Sequence, residues 1–186
     1  MKRLLILSVL LLVMLAPVSV GAADNLFPNA DFEDNWTVVN EKATVPKEWT
    51  PRLTNYDYIG RSTEQKYAGQ SALHVIANIK SGAQILNSIG VPVKPGGVYK
   101  VGYWVYVVDG GIRVSAVDDT AKRYYPKFNT HHFVEDFTAG QWQYGEITFE
   151  APEGCYAMRL SLVAPTDREV GRLEAFIDSI TVVEVE

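Results

Sequence analysis

Trp104 and Tyr106 are aromatic residues at alternate positions of one predicted strand, and Arg113 stands on the next predicted strand. Between them, Asp109-Gly110 is typical of a two-residue hairpin loop, because a type I′ turn needs positive φ at both central positions. In that register Tyr106 faces Arg113, and both rings share a sheet face with the guanidinium. Aromatic rings stack on apolar ligand faces, and arginine donates hydrogen bonds in a planar fork. The pattern predicts a platform for pyranose rings; burial of both rings under a loop is the alternative.

Four further side chains are predicted to border this platform. Gln84 lies on an earlier strand and is placed on the same face, while Tyr56 and Tyr58 alternate along the chain and are expected to flank the groove. The fourth is Tyr125, in the aromatic segment Thr120–Gly140. A connection of that length in a compact β domain is functional or contains a short strand, and here it is expected to line the groove.

The same segment contains the adjacent pair His131-His132. Neighbouring residues of an extended chain point to opposite sides, so both rings do not reach one ion easily. No further ligand stands at a recognisable spacing, so a transition-metal site is not expected.

The candidate side chains must be positioned by β-strands. The sequence contains short runs rich in Val, Ile, Thr and aromatic residues, and Gly, Pro, Asn and Asp separate these runs. They indicate an all-β domain, a β-sandwich or jelly roll. Alternate residues of the strands around Asp109-Gly110 are apolar, and these are assigned to the core: Tyr99, Val101, Tyr103, Val105, Val107, Ile112, Val114 and Ala116. The predicted strands are 71–78, 83–91, 98–108, 111–118, 142–150, 155–164 and 173–185, with shorter pieces near 25–33 and 52–59.

Composition limits the class of protein. The chain has 186 residues, 47% hydrophobic and 21% charged, which fits one globular domain. Its formal net charge is −5, whereas a nucleic-acid binder usually carries an excess of basic residues, so no nucleic-acid partner is expected. One cysteine excludes an intrachain disulfide, and Cys155 is expected to be a small buried residue.

Residues 1–23 have the pattern of a signal peptide. Lys2 and Arg3 precede an apolar run, and small residues end at Ala22-Ala23, an A-x-A type of cleavage site. An uncleaved membrane anchor is the alternative, since the run almost reaches spanning length. Residues 24–186 are therefore predicted to be a secreted or periplasmic domain that has no membrane contact after cleavage.

Six motifs in order along the chain resemble those of secreted carbohydrate-binding modules of the family 4, 9 and 22 type. The resemblance covers essentially all of residues 24–186. The motifs are Asn25 to Glu33 (NLFPNADFE), Pro46 to Trp49 (PKEW), Ala68 to Leu73 (AGQSAL), Pro95 to Tyr99 (PGGVY) with Tyr103-Trp104-Val105, Gln141-Trp142 through Phe149, and Ala175 to Ile180 (AFIDSI).

The resemblance implies a galactose-binding-like jelly roll and a polysaccharide or oligosaccharide partner. It places ligands on the concave sheet face or in loops at the sandwich edge, and it assigns Trp49 and Trp142 to packing. It also implies a structural calcium ion, held by the carboxylates of Glu33 and Asp178 with backbone oxygens of Asp31 and the Gly69–Ser71 turn. Calcium accepts such a set of oxygen ligands. Turn capping or pairing with Lys and Arg is the alternative role of the two carboxylates.

Three functional classes fit the sequence. The favoured one is a non-catalytic secreted glycan-binding protein; the second is an interaction or structural jelly roll that keeps calcium without binding sugar. The third is a small glycosidase, which needs two carboxylates across a cleft, or a polysaccharide lyase, which needs a base beside an arginine. The enzyme candidates are Glu146 with Glu135 or Asp136 for the glycosidase, and Tyr125 or His132 for the lyase.

Overall fold

The computed structural model describes residues 24–52, 54–78, 83–136, 140–164 and 172–185. The predicted signal peptide, residues 1–23, lies outside the described residues. Across these ranges no helix is long and apolar enough to cross a membrane. The elements are β1 (Trp36–Asn40), β2 (Ala43–Pro46), β3 (Trp49–Pro51), β4 (Tyr58–Ser62), β5 (Ala72–Ala77), β6 (Gln84–Ser88), β7 (Val91–Pro92), β8 (Val98–Asp118), β9 (Arg123–Phe133), a 3₁₀ turn (Val134–Asp136), β10 (Gln143–Glu150), β11 (Ala157–Val163) and β12 (Leu173–Val185).

Two sheets share the long strand β8. Sheet A has the order β1-β2-β4-β5-β12-β8-β10, and sheet B has the order β3-β6-β11-β8-β9, with β7 paired to the start of β11. All of these pairs are antiparallel except β2 with β4. The predicted all-β sandwich is confirmed.

The predicted hairpin at Asp109-Gly110 is wrong, because β8 runs through it without reversing. Asp109 and Gly110 stay paired to β12 in sheet A, and Gly111 begins the pairing with β9 in sheet B. The register of β12 shifts opposite Val108, which leaves an extra residue in β8. A bulge of this kind increases the local twist. The dipeptide therefore carries the strand from one sheet to the other.

The core lies between the two sheets. All eight alternate residues that the sequence assigned to it are buried, on both sides of Gly110. Period-two alternation is a property of extended backbone, so it survives the change from a hairpin to one continuous strand. Trp49 joins this core, with its ring 5.8 Å from Phe27 and 6.1 Å from Phe32, and Cys155 is buried as expected.

Two other segments differ from the sequence prediction or refine it. Residues 25–33 contain no strand and form turns, in which Asn29 and Phe32 take positive φ. The long segment Thr120–Gly140 contains the strand β9, which pairs with β8. The second of the two alternatives for that segment, a hidden strand, is therefore the observed one.

Candidate functional site

The outer face of sheet A carries a continuous chain of eight aromatic rings, which we call the aromatic face. Strand pairing sets Tyr144 beside Trp104, and it sets Phe176 between Tyr106 and His74. Successive ring centroids lie 3.8–6.0 Å apart. From β10 toward β4, the rings are those of Tyr144, Trp104, Tyr67, Trp142, Tyr106, Phe176, His74 and Tyr58.

Trp104 does not offer its ring as an open platform. Tyr67 stacks on it at 3.8 Å with an interplanar angle of 13°, and Tyr144 tilts against it at 5.5 Å. The more open rings are those of the neighbours, since Tyr67 is 43% and Tyr144 48% exposed. Trp142, which the resemblance assigns to packing, is half-buried and packs against Tyr67 and Tyr106 on this outer face rather than in the core.

A cleft of about 340 Å³ lies at the β4–β5 end of the aromatic face. His74 and Phe176, stacked at 4.2 Å, contribute its aromatic surface, and the polar stretch 61–65 contributes the rest. His74 Nε2 lies 3.2 Å from Glu174 Oε1. Burial lowers the pKa of His74, and the hydrogen bond to Glu174 opposes that shift. The cleft combines flat rings with hydrogen-bonding side chains.

The outer face of sheet B is of a different kind, and we call it the polar face. Directly paired residues share a sheet face. Pairing across five strands builds one row of hydroxyl and amide side chains: Thr50, Asn87, Ser161, Ser115 and Asn129. The adjacent row contains Gln84, Val163, Arg113 and His131.

Several polar atoms of the polar face have protein partners, and others do not. Ser161 donates to Asn87 Oδ1 at 2.7 Å, and the Arg113 guanidinium lies 5.4 Å from the centroid of the Tyr124 ring. Ser115 Oγ and Asn129 Oδ1 are buried and have no hydrogen-bond partner among the described residues. Both atoms are closed to solvent, and Asn87, Ser161 and Arg113 are at most 8% exposed. A ligand would therefore reach this face through its more open side chains, Thr50, Gln84 and Tyr124.

The structure separates the predicted sugar-binding residues into two groups. Trp104, Tyr106 and Tyr58 lie on the aromatic face, whereas Arg113 and Gln84 lie on the polar face, across the core. The single platform of Trp104, Tyr106 and Arg113 is therefore wrong. It depended on a hairpin that would have kept Arg113 in the sheet of Trp104.

The remaining two predicted residues lie elsewhere. Tyr56 is buried in the core and its hydroxyl accepts a hydrogen bond from Asn40 Nδ2 at 2.8 Å. Tyr125 packs on the core, with its ring 5.3 Å from that of Phe128. Neither tyrosine belongs to the aromatic face or the polar face.

His131 and His132 point to opposite sides of β9, as the sequence predicts. His131 is paired with Arg113 on the polar face. His132 is buried between the sheets, 3.0 Å from Tyr103 Oη and 3.3 Å from Gln143 Oε1. Burial lowers the pKa of His132. A base buried in the core has no access to a polysaccharide, which removes His132 as a lyase candidate.

Four of the five predicted calcium residues, Glu33, Gly69, Ser71 and Asp178, meet at one turn, and Asp31 contacts the Glu33 amide beside it. We call this region the terminal clasp (Asp31, Glu33, the turn Tyr67–Ser71 and Asp178). Glu33 Oε1 accepts hydrogen bonds from the amides of Gln70 and Ser71, at 2.7 and 3.1 Å. Asp178 Oδ2 accepts from the amides of Tyr67 and Ala68, at 2.8 and 3.0 Å. Both ends of the domain are thus fixed to the same turn.

Glycine is required at the centre of this turn. Gly69 has a φ of +57°, and a Cβ there would collide with Glu33 Oε1. Asp31 Oδ1 accepts from the Glu33 amide at 3.4 Å, and burial raises the pKa of Asp178 against the effect of its backbone hydrogen bonds. Within the described ranges, no three His, Cys, Asp or Glu side chains form a metal-binding group.

Comparison with known proteins decides the family. A family model described as a carbohydrate binding domain, CBM_4_9, matches residues 24–168. The chain belongs to this family. No curated protein matches the carbohydrate-binding domain described here.

Solved structures with the fold of this carbohydrate-binding domain are modules of the same kind. The CBM22-1 xylan-binding domain of Paenibacillus barcinonensis Xyn10C is 16% identical, with a TM-score of 0.58 over 89% of this chain and 97% of that one. TmCBM61, solved in complex with β-1,4-galactotriose, is 18% identical, with a TM-score of 0.52 over 88% and 100%. The predicted jelly-roll class and the predicted resemblance are both confirmed.

Sequence reasoning missed most members of both faces of this carbohydrate-binding domain. Tyr67 belongs to a turn, and Phe176 and His74 alternate with core residues on strands far apart in sequence. On the polar face, Ser161 and Ser115 each alternate with apolar residues in a predicted strand. That alternation was a usable signal, because it marks residues that point away from the core.

Proposed function

We propose that the protein is a secreted, non-catalytic module that binds a neutral polysaccharide on the polar face. The observation that carries this proposal is the row of hydroxyl and amide side chains across five strands of sheet B, with Thr50, Gln84 and Tyr124 exposed or half-buried on the same face. Membership of a carbohydrate-binding family supports the ligand class.

The polar face offers the groups that a sugar chain needs. A sugar hydroxyl both donates and accepts, so it pairs with the half-buried amide of Gln84, which does the same. Tyr124 is 38% exposed at the edge of this face, and its hydroxyl accepts a hydrogen bond from Asn129 Nδ2. We expect its ring to lie against a pyranose, with Arg113 fixing its position from the other side.

Related solved modules support a β-linked backbone sugar as the ligand class. One is described as xylan-binding, and another was solved with β-1,4-galactotriose. A third, the CBM22-1–GH10 modules of Clostridium thermocellum Xyn10B, was solved with xylohexaose, and this chain covers 26% of that structure. All three are 16–18% identical to this chain, so the specific glycan is a question for the binding experiment.

Retention on insoluble polysaccharides, with calcium present and with competition by xylohexaose or galactotriose, tests the proposed function. We expect Tyr124→Ala and Gln84→Ala to weaken retention about 3- to 10-fold, the effect of losing one stacking contact or one hydrogen bond. Tyr156→Ala is the matched control, because Tyr156 is a 63% exposed tyrosine that belongs to neither face.

Two results would contradict the proposal. Equal retention of all three variants would place the glycan elsewhere on the molecule. No retention on any polysaccharide would favour an interaction module without sugar affinity, and release of reducing or unsaturated sugars would favour an enzyme.

We further propose that the terminal clasp holds a structural calcium ion. Glu33 and Asp178, which the amides of the turn Tyr67–Ser71 hold in place, would supply two carboxylates. Backbone carbonyls of the same turn would complete a set of oxygen ligands of the kind that calcium prefers. Gly69 lies so close to Glu33 Oε1 that no side chain fits there, and this supports a turn whose conformation brings the Glu33 and Asp178 carboxylates together. The ion would join the first and last segments of the domain.

Export is part of the same proposal. Lys2 and Arg3, the apolar run that follows and the small residues before Asp24 support a cleaved signal peptide. The mature domain would then act outside the cytoplasm, where polysaccharides of cell walls and matrices are found.

A further inference from the structure

The aromatic face is large and remains open, although it takes no part in the proposed site. Its rings span β10, β8, β12, β5 and β4, and three of its tyrosines are more than a third exposed: Tyr58, Tyr67 and Tyr144. Exposed aromatic side chains that share one face of a domain are typical of a binding surface. The face lies across the core from the polar face.

Charged and polar groups surround these rings. Lys100 pairs with Glu146 at 2.6 Å beside Tyr144, and Arg172 pairs with Asp109 at 2.9 Å at the other end of β12. Membership of a carbohydrate-binding family favours a glycan over a protein as the occupant of this face. A sugar ring presents a flat C–H face and a polar rim, which match flat rings bordered by paired charges.

The cleft beside His74 and Phe176 gives one end of the face a defined site. Its volume of about 340 Å³ falls in the range of small-ligand sites, at its lower end. Arg61, Glu64 and Gln65 border it and offer donors and acceptors next to the stacked rings. This combination of a flat apolar surface with several hydrogen-bonding groups suits a single sugar residue.

The position of Tyr67 is fixed by groups outside the aromatic face. Its amide donates to Asp178 Oδ2 at 2.8 Å, and its ring is stacked on Trp104. A residue that is fixed at its backbone and at one face of its ring loses little conformational freedom when a ligand covers the other face, which favours binding.

We propose that the aromatic face is a second carbohydrate-binding surface, which takes a neutral glycan chain lying across the strands from Tyr144 to the cleft at His74. It is separate from the polar face and requires no residue of it. The two surfaces on opposite sides of one domain would let the protein bridge two glycan chains.

Tryptophan fluorescence distinguishes the two surfaces. Of the four tryptophans, Trp104 and Trp142 lie on the aromatic face, and none lies on the polar face. The full protein is titrated with xylohexaose, galactotriose and cellohexaose as probes, by fluorescence and by calorimetry. We expect a change in tryptophan emission and a stoichiometry of two for the probe that binds both surfaces.

Matched variants assign each binding event. Tyr67→Ala is expected to weaken the event that changes the emission about 3- to 10-fold and to leave the other unchanged. Tyr124→Ala is expected to do the opposite, and Tyr156→Ala to alter neither. Unfolding curves of all three variants confirm that each one is folded before titration.

Other outcomes would overturn this second surface. Binding that Tyr124→Ala weakens, with one site and no change in emission, would leave the polar-face proposal standing and remove this one. Absence of glycan binding together with self-association that Tyr67→Ala abolishes would identify the aromatic face as an interface between copies of the chain.

Discussion

At the scale of single residues, environment decides what each candidate side chain can do. Trp104 and Tyr124 are both aromatic residues on outer faces, but the first is covered by Tyr67 and the second has its edge in solvent. His131 and His132 are sequence neighbours, and one is on the polar face while the other is in the core. The residue type indicates which interactions a side chain could make, and its burial decides which of these interactions a ligand can reach.

The buried His132 makes stability depend on pH. Burial lowers the native pKa of His132 below its usual value of about 6.5, and it also lowers that of His74. Between the unfolded and the native pKa, the unfolded state binds a proton that the native state does not. The contribution to stability is therefore complete above about pH 6.5 and is lost as the pH falls below it.

Urea unfolding at pH 7.5 and at pH 5.5 measures this effect. We expect the wild type to lose free energy of unfolding at the lower pH, and His132→Gln to lose less. Glutamine does not titrate and keeps a hydrogen-bonding group near Tyr103. His74 still titrates in the variant, so part of the loss remains. An identical loss in both proteins would contradict this role for His132.

At the scale of elements, one strand and one turn organise the domain. The strand is β8, whose two halves supply both faces. The turn is Tyr67–Ser71, which the carboxylates of Glu33 and Asp178 hold through four backbone amides. The same turn carries Tyr67 to its place on Trp104, so the terminal clasp and the aromatic face share a segment.

Substitution of the central glycine tests the turn. Gly69→Ala should lower the free energy of unfolding by about 2 kcal/mol or more, because a positive φ costs about 1–2 kcal/mol for a residue with a Cβ and the new Cβ displaces Glu33. Gly96→Ala is the matched control. Gly96 also has positive φ, at +75°, but nothing lies within 4 Å of its Cβ position, so it should lose only the backbone part. Equal losses in the two variants would show that contact with Glu33 contributes nothing.

At the scale of the whole molecule, the chain ends meet at the terminal clasp. Glu33 and Asp178 are 145 positions apart in sequence and hold the same turn. A domain with one cysteine has no disulfide to join these segments, and a bound cation would take that role.

Removal of calcium is therefore expected to lower the melting temperature. A ligand of the native state at a hundredfold excess over its Kd adds about 2.7 kcal/mol, which corresponds to roughly 5–10 °C for a domain of this size. Calorimetry in calcium and in chelator measures the difference, and Asp178→Asn should reduce it. An unchanged melting temperature in chelator would contradict the calcium proposal.

The sequence by itself determined the fold class, the core positions of β8 and the family. Alternation of apolar residues depends only on the local geometry of extended backbone, so it assigned Tyr103 and Ile112 correctly even from a wrong hairpin. The family motifs at both chain ends also indicated that Glu33 and Asp178 meet at one turn, and the backbone amides of that turn do bind both carboxylates.

Only the tertiary structure decided which outer residues share a face. Asp109-Gly110 favours a hairpin locally, but pairing with β12 on one side and β9 on the other keeps β8 extended. That long-range pairing sends Arg113 to the polar face and leaves Trp104 on the aromatic face. Local sequence does not contain this information, because the partners of β8 come from segments that are distant in the chain.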